Sequence, residues 1–154
     1  MRILVVFYSR TGNTRIVAEE LAKVLECDVE EIIDTKDRSG PLGYMKSGRD
    51  AMGRKLTVLQ DPVNDPSSYD LLVIGTPLWA GHVATPVRTY MQQQENFKEV
   101  AFFTTAGGSG YDGAFQDMEE LGGKSPLATL GVAEKEIKNG SYQSRVAEFA
   151  KKIR

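Results

Sequence analysis

Three short stretches hold most of the residue types in this chain that can meet a ligand. The first, Ser9-Arg-Thr-Gly-Asn-Thr14, carries three hydroxyls, an amide and one glycine directly ahead of a helical pattern. The first turn of a helix leaves N–H groups unpaired and bears a partial positive charge, so a phosphate suits that position. Gly12 lets the backbone approach closely, and the hydroxyls of Ser9, Thr11 and Thr14 can donate around phosphate oxygens. An ordinary N-cap draws on the same residue types, so composition leaves both uses open. The stretch is not a P-loop, because no lysine follows the glycine and no second glycine stands at the required spacing.

The second stretch, Thr76-Pro-Leu-Trp-Ala-Gly-His82, contains the only tryptophan and the only histidine. Trp79, in a loop at a strand's carboxyl end, is placed to stack on a planar ring, or to pack into the edge of the core. The third, Thr104-Thr-Ala-Gly-Gly-Ser-Gly-Tyr-Asp-Gly113, is dense in glycine and hydroxyls and can lay backbone polar groups along a heterocycle's edge. Within it Gly108-Ser-Gly-Tyr-Asp-Gly113 matches G-x-G-x-x-G, and Glu134 lies about twenty residues on, where a ribose-binding acid would be. That match is discounted: the glycines begin several residues after the strand, and no second nucleotide-binding half follows.

Other chemistry is excluded by counting. One cysteine, Cys27, and one histidine allow no intrachain disulfide, no CxxC pair and no four-cysteine metal site. Cys–His catalysis would need Cys27 beside His82, and Cys27 falls in a plain helix-to-strand junction. Nineteen Lys and Arg against twenty-one Asp and Glu give a net charge of -2, with no broad footprint for nucleic acid or an anionic membrane. The longest aliphatic and aromatic run, Ile3 to Tyr8, is six residues, far short of the roughly 20 that span a bilayer. It is also too short for a signal-peptide core. A cytoplasmic protein without disulfides is the expectation.

The elements that must position the three stretches follow from periodicity. Ile3–Tyr8, Cys27–Ile33, Leu71–Ile74, Val100–Phe103 and Leu127–Val132 read as strands, the second as a half-exposed edge. Val17, Ala18, Leu21, Val24 and Leu25 fall at helical spacing. Further helices are expected at Gly43–Lys55, Thr85–Glu95, Gly113–Leu121 and Ser141–Ile153. Apolar strands alternating with helices make a parallel sheet covered on both faces by right-handed crossovers, a three-layer α/β sandwich. A single domain over 1–154 is expected, with 34–61 as the longest insertion.

Together these residues resemble the flavodoxin family. The resemblance rests on Ser-x-Thr-Gly-Asn-Thr after the first strand, an aromatic loop after the third and a glycine-rich loop after the fourth, and it covers the whole chain. Gly40-Pro-Leu-Gly-Tyr-Met-Lys-Ser-Gly-Arg49 is similar to a segment of a prokaryotic subgroup. The resemblance implies a five-stranded parallel sheet in the order 2-1-3-4-5, with FMN where the strand order reverses. It implies that Ser9, Arg10, Thr11, Gly12, Asn13 and Thr14 wrap the phosphate, and that Thr76 and Pro77 line the ribityl chain and ring edge. Trp79 would stack on the isoalloxazine, within a cofactor-binding loop running from Leu78 through Ala80, Gly81 and His82. Thr105, Ala106, Gly107 and Gly108 would meet the pyrimidine edge, and Tyr111 would cover the opposite face.

Two features depart from the family. Many flavodoxins carry glycine after the stacking aromatic, whose peptide flips so that its carbonyl accepts from the reduced flavin's N5–H; here Ala80 stands there, with Gly81 next. Flavodoxins are also usually strongly acidic, and this chain is nearly neutral. Its charges are segregated: Glu19 to Asp34 holds seven acids and one lysine, and the 34–61 insertion is net +2. Asp112, Asp117, Glu119 and Glu120 lie beside the third stretch, either as a solvated helix face or as a docking patch for a basic redox partner.

The function this implies is a soluble low-potential electron carrier between redox partner proteins, with FMN doing the chemistry. The alternative is an FMN-dependent NAD(P)H or quinone oxidoreductase on the same fold, with His82 as the group able to protonate a quinone or the flavin N1 region. A phosphorylatable receiver module would need an acid pair after the first strand, where Tyr8-Ser9 stands.

Overall fold

The computed structural model of the chain describes residues 1–94 and 96–154. The elements are β1 (Ile3–Phe7), α1 (Asn13–Leu25), β2 (Asp28–Glu31), α2 (Gly40–Met52), β3 (Leu71–Trp79) and β4 (His82–Val83), followed by α3 (Thr85–Gln93), β5 (Glu99–Ala106), α4 (Tyr111–Gly122), β6 (Thr129–Ala133), α5 (Glu134–Asn139) and α6 (Tyr142–Ile153). Five parallel strands lie in the order β2-β1-β3-β5-β6, and β4 pairs antiparallel with β3 alone. Without that short hairpin strand, the order is the expected 2-1-3-4-5.

Side-chain alternation along the strands builds two cores. Ile3, Val5 and Phe7 of β1 face α1 and α6, whose Val17, Leu21, Val146 and Phe149 close one layer. Leu4 and Val6 face the other way, toward Val87 and Met91 of α3 and Met118 of α4. Every residue of β1 is buried, as a strand covered on both faces requires. β2 is half-exposed, with Val29 at 43%, in keeping with an edge strand.

The structure corrects several boundaries. β3 and β5 run past their apolar stretches because their ladder continues through Thr76–Thr104 and Pro77–Thr105. Thr76–Trp79 and Thr104–Ala106 are therefore strand, not loop. Pro77 is tolerated because it stands beyond the last β1–β3 pair, Phe7–Gly75. The chain then reverses at Ala80 and Gly81, both at positive φ (50° and 80°), so that Trp79 pairs with His82. A two-residue turn with both positions left-handed matches the twist of a hairpin, and Ala-Gly is a weaker sign of it than Asn-Gly. α2 begins three residues earlier than expected, with Pro41 in its first turn. The helix expected over Thr85–Glu95 is present over Thr85–Gln93, and Glu95 lies outside the described residues. α5 was not expected; at six residues it has little periodicity, and Glu136 caps it by accepting from the Ala133 N–H at 2.9 Å.

Gly75 sits where the two central strands pack most tightly. A Cβ there would fall 2.0 Å from Phe103, its cross-strand partner. Gly75→Ala should destabilise the chain by about 1–3 kcal/mol, as overpacking a core does, and lower its urea midpoint. An unchanged midpoint would show that Phe103 can move aside.

Candidate functional site

β1 and β3 are neighbours whose following helices, α1 and α3, lie on opposite faces of the sheet, so a crevice opens between their carboxyl ends. It forms a cleft of ≈ 370 Å³ whose walls include Arg10, Thr11, Asn13 and Thr14 from the first loop, Leu78 and Trp79 from β3, and Thr105 to Ser109 from the end of β5. Three segments far apart in sequence are thus brought to one place.

The first loop is shaped from within. The Ser9 hydroxyl accepts from the Gly12 N–H at 3.0 Å, and Gly12 occupies the N-cap of α1 at φ 107°. A left-handed N-cap favours glycine. Among the described residues no side chain caps this helix end, so the polar residues there are not serving as an ordinary cap. The first turn's N–H groups thus lack a side-chain acceptor, and Thr11, Asn13 and Thr14 around them line the cleft. Thr14 is buried, and its hydroxyl meets that of Thr105 at 2.8 Å, joining the first loop to the third.

The hairpin is held by its own polar groups. Thr76 is buried; its hydroxyl donates to the Pro77 carbonyl at 2.8 Å and accepts from the Ala84 N–H at 3.0 Å. Asp117 of α4 is buried as well. Its Oδ2 takes the Val83 N–H at 3.0 Å, lies 3.0 Å from His82 Nδ1 and 3.4 Å from the Arg88 guanidinium. Gly113 of α4 lies against the turn: a Cβ there would be 2.0 Å from the Gly81 carbonyl oxygen.

Arg38 supports Trp79 from the insertion. Its side chain is 3% exposed; Nε donates to Asp34 at 2.6 Å, and Nη1 to Asp50 and Ser47, each at 3.2 Å. Its guanidinium carbon lies 5.1 Å from the centre of the Trp79 ring, and Tyr8 meets that ring edge-on at 5.5 Å. Arg10 ties the same segment to the first loop, donating to the carbonyls of Arg38 (2.9 Å) and Gly40 (3.0 Å) while lying over Tyr44.

The flavodoxin family model matches residues 2–149. The chain belongs to the flavodoxin family. A flavoprotein of Lactobacillus acidophilus NCFM, solved in complex with FMN, is similar over 91% of this chain and 98% of its own, with 24% identity and a TM-score of 0.74. A flavoprotein of Bacteroides uniformis is similar over 97% of each chain, with 21% identity and a TM-score of 0.79. Two-electron reduced Megasphaera elsdenii flavodoxin is similar over 97% and 98%, with 21% identity and a TM-score of 0.53. Comparison with curated protein sequences gives no significant match.

Within this flavodoxin fold, the cleft gathers Arg10, Thr11, Asn13, Thr14, Leu78, Trp79, Thr105, Ala106, Gly107 and Gly108. Ser9, Gly12 and Thr76 shape it from behind. Ala80 lines a neighbouring cavity instead. Tyr111 packs its ring over Gly131, where a Cβ would lie 2.7 Å from it, and does not line the cleft. Pro77, Gly81 and His82 do not line it either. Asp117, read as part of a surface acidic group, is an internal anchor. Sequence reasoning gave no site role to Tyr44, Arg38 or Ser109; Tyr44 reaches the cleft from α2, across an insertion whose path no local pattern specifies. Glu134 also lines it; β5 runs on to Ala106, so the glycines of the G-x-G-x-x-G match follow the strand directly, and the last of them, Gly113, packs against the Gly81 carbonyl of the hairpin.

Tyr8, behind Trp79, has its phenol pushed up to about 12 from 10.0, first by burial and then by Asp34. A phenol favoured in its neutral form contributes stability that is full below pH 10 and lost as pH rises toward 12. Tyr8→Phe should therefore lose less stability than the parent over that interval in urea titrations. Parallel losses would contradict the assignment.

Proposed function

We propose that this chain binds FMN in the cleft and works as an electron carrier between redox partner proteins. The observation carrying the reading is the uncapped start of α1, with Gly12 at its N-cap, opening onto the same cleft as Trp79. The donor set fits the group: a phosphate would meet the first-turn N–H groups and the side chains of Thr11 and Asn13. A planar ring would lie against Trp79, with backbone groups of 105–109 along its polar edge. FMN supplies the redox chemistry when bound. The chain's residues bind and orient it: Arg38 and Tyr8 hold the indole, and Thr14 with Thr105 fixes the distance between two of the loops.

Ala80 already occupies the left-handed region at φ 50°, and Gly81 follows at 80°. The turn therefore holds, at a non-glycine position, a conformation that costs of order 1 kcal/mol. An alanine after the aromatic is thus compatible with this hairpin.

The carrier reading is favoured over the oxidoreductase reading by His82. Its Nδ1 is turned to Asp117, and its ring lines neither the cleft nor the cavity beside it. No other histidine is available as a proton donor. The FMN-loaded protein, reduced with dithionite, should pass electrons to cytochrome c. With NADPH and menadione it should turn over far below the roughly 1 per second at the low end of ordinary enzymes. NADPH oxidation at or above that rate would overturn the carrier reading and leave FMN binding standing.

A further inference from the structure

Helix α2 carries its side chains in an unusual arrangement for a helix on a sheet. Its buried positions are the small residues Gly43, Ser47 and Ala51. Its large apolar residues Leu42, Tyr44, Met45 and Met52 are 62% to 71% exposed. Helices covering a sheet normally do the reverse, and single exposed apolar side chains are common where a set of four on one helix is not.

Between this helix and the β3–β4 hairpin lies a second cavity of ≈ 290 Å³, walled by Tyr44, Met45, Gly48, Met52, Trp79 and Ala80. Its size is near the lower end of small-molecule sites, roughly 300 Å³. Gly48 keeps it open: a Cβ there would make only ordinary contact with the Ala80 methyl, at 3.9 Å, and a longer side chain would enter the space. Arg49 lines the cavity and also a basic recess of ≈ 360 Å³ formed with Lys36, Lys46 and Lys55. Asp50, the one acid of that recess, is already paired with Arg38 and Lys36. Among the described residues, Lys46, Arg49 and Lys55 make no salt bridge.

We propose that this groove binds a small planar aromatic molecule bearing an anionic group. The ring lies between α2 and Trp79, and the anion pairs with Arg49. Thioether contacts from Met45 and Met52 suit an aromatic ring, and a guanidinium matches a carboxylate or sulfonate in geometry as well as charge. The lysines of the recess raise the local concentration of anions. Tyr44 and Trp79 line this cavity and the cleft alike, so the ligand sits one indole away from the cofactor. The proposal rests on the FMN reading only in taking the cleft as filled.

The test is calorimetric titration of a naphthalenesulfonate into the FMN-loaded protein, with flavin retention followed by absorbance after filtration. Equimolar binding without flavin release is expected. Arg49→Glu and the uncharged naphthalenemethanol should each weaken binding by about tenfold or more. Gly48→Leu, which fills the cavity, should abolish it; Arg49→Glu and the uncharged probe decide the matter if that variant does not fold. No binding at about 1 mM probe, equal binding by Arg49→Glu, or release of one FMN per probe bound would overturn the proposal. A protein that never retains FMN defeats the cofactor reading instead, and the same titration on the flavin-free chain still tests the groove.

Discussion

β1 and β3 pair from Ile3–Leu71 to Phe7–Gly75, and beyond that register their chains turn to opposite faces of the sheet. That divergence follows from two right-handed crossovers running in opposite directions from the middle of one parallel sheet. It leaves the carboxyl ends of the two strands without a covering helix. Every feature of the cleft is built on it: the uncapped start of α1, the hairpin that carries Trp79, and the glycine-rich turn after β5. The sheet beneath is rigid because its central strands are buried on both faces and, at Gly75 and Phe103, packed to the limit of contact.

On that frame the 34–61 insertion does more than connect. Arg38 is a buried cation held by two carboxylates, an arrangement whose desolvation cost is offset only with good geometry. Its value here is positional. It joins the insertion to the back of Trp79, while its own carbonyl accepts from Arg10 of the first loop. Gly43 allows the close approach, since a Cβ there would fall 2.2 Å from the Arg38 carbonyl oxygen. The first loop and the aromatic wall are thereby coupled through one residue, Arg38, by its carbonyl on one side and its guanidinium on the other.

Much of this was legible in the sequence. Continuous apolar runs identified the parallel strands, and the polar stretches at their ends identified the three loops, because both signals are local. What stayed hidden depends on tertiary partners. Thr76 resembles a ligand hydroxyl in sequence, yet it closes the hairpin; Asp117 resembles a surface acid, yet it anchors the same hairpin from α4. Tyr111 at a helix start looks free to cover a ring, until Gly131 of β6 provides the surface it lies on. Tyr44 and Arg38 reach the site from an insertion whose helix is legible in the sequence but whose docking against Trp79 depends on tertiary contacts. The acidic run from Glu19 to Asp34 is similarly reinterpreted: Glu30 accepts from the N–H groups of Val63 and Asn64, Glu31 pairs with Arg15, and Asp34 with Arg38. Asp34 is thereby held behind Trp79, and Arg49 of α2 lines the cavity next to the cleft.

A phosphate seated at α1 with a ring against Trp79 makes a direct demand on one fluorophore, since Trp79 is the only tryptophan. The decisive measurement is a titration of the flavin-free protein with FMN and with riboflavin, followed by tryptophan emission. FMN should quench it saturably at one equivalent. Riboflavin should bind at least about a hundredfold more weakly, the worth of two charge-assisted hydrogen bonds to the missing phosphate. Emission unchanged by FMN, or equal affinity for the two flavins, would contradict the cofactor's proposed placement.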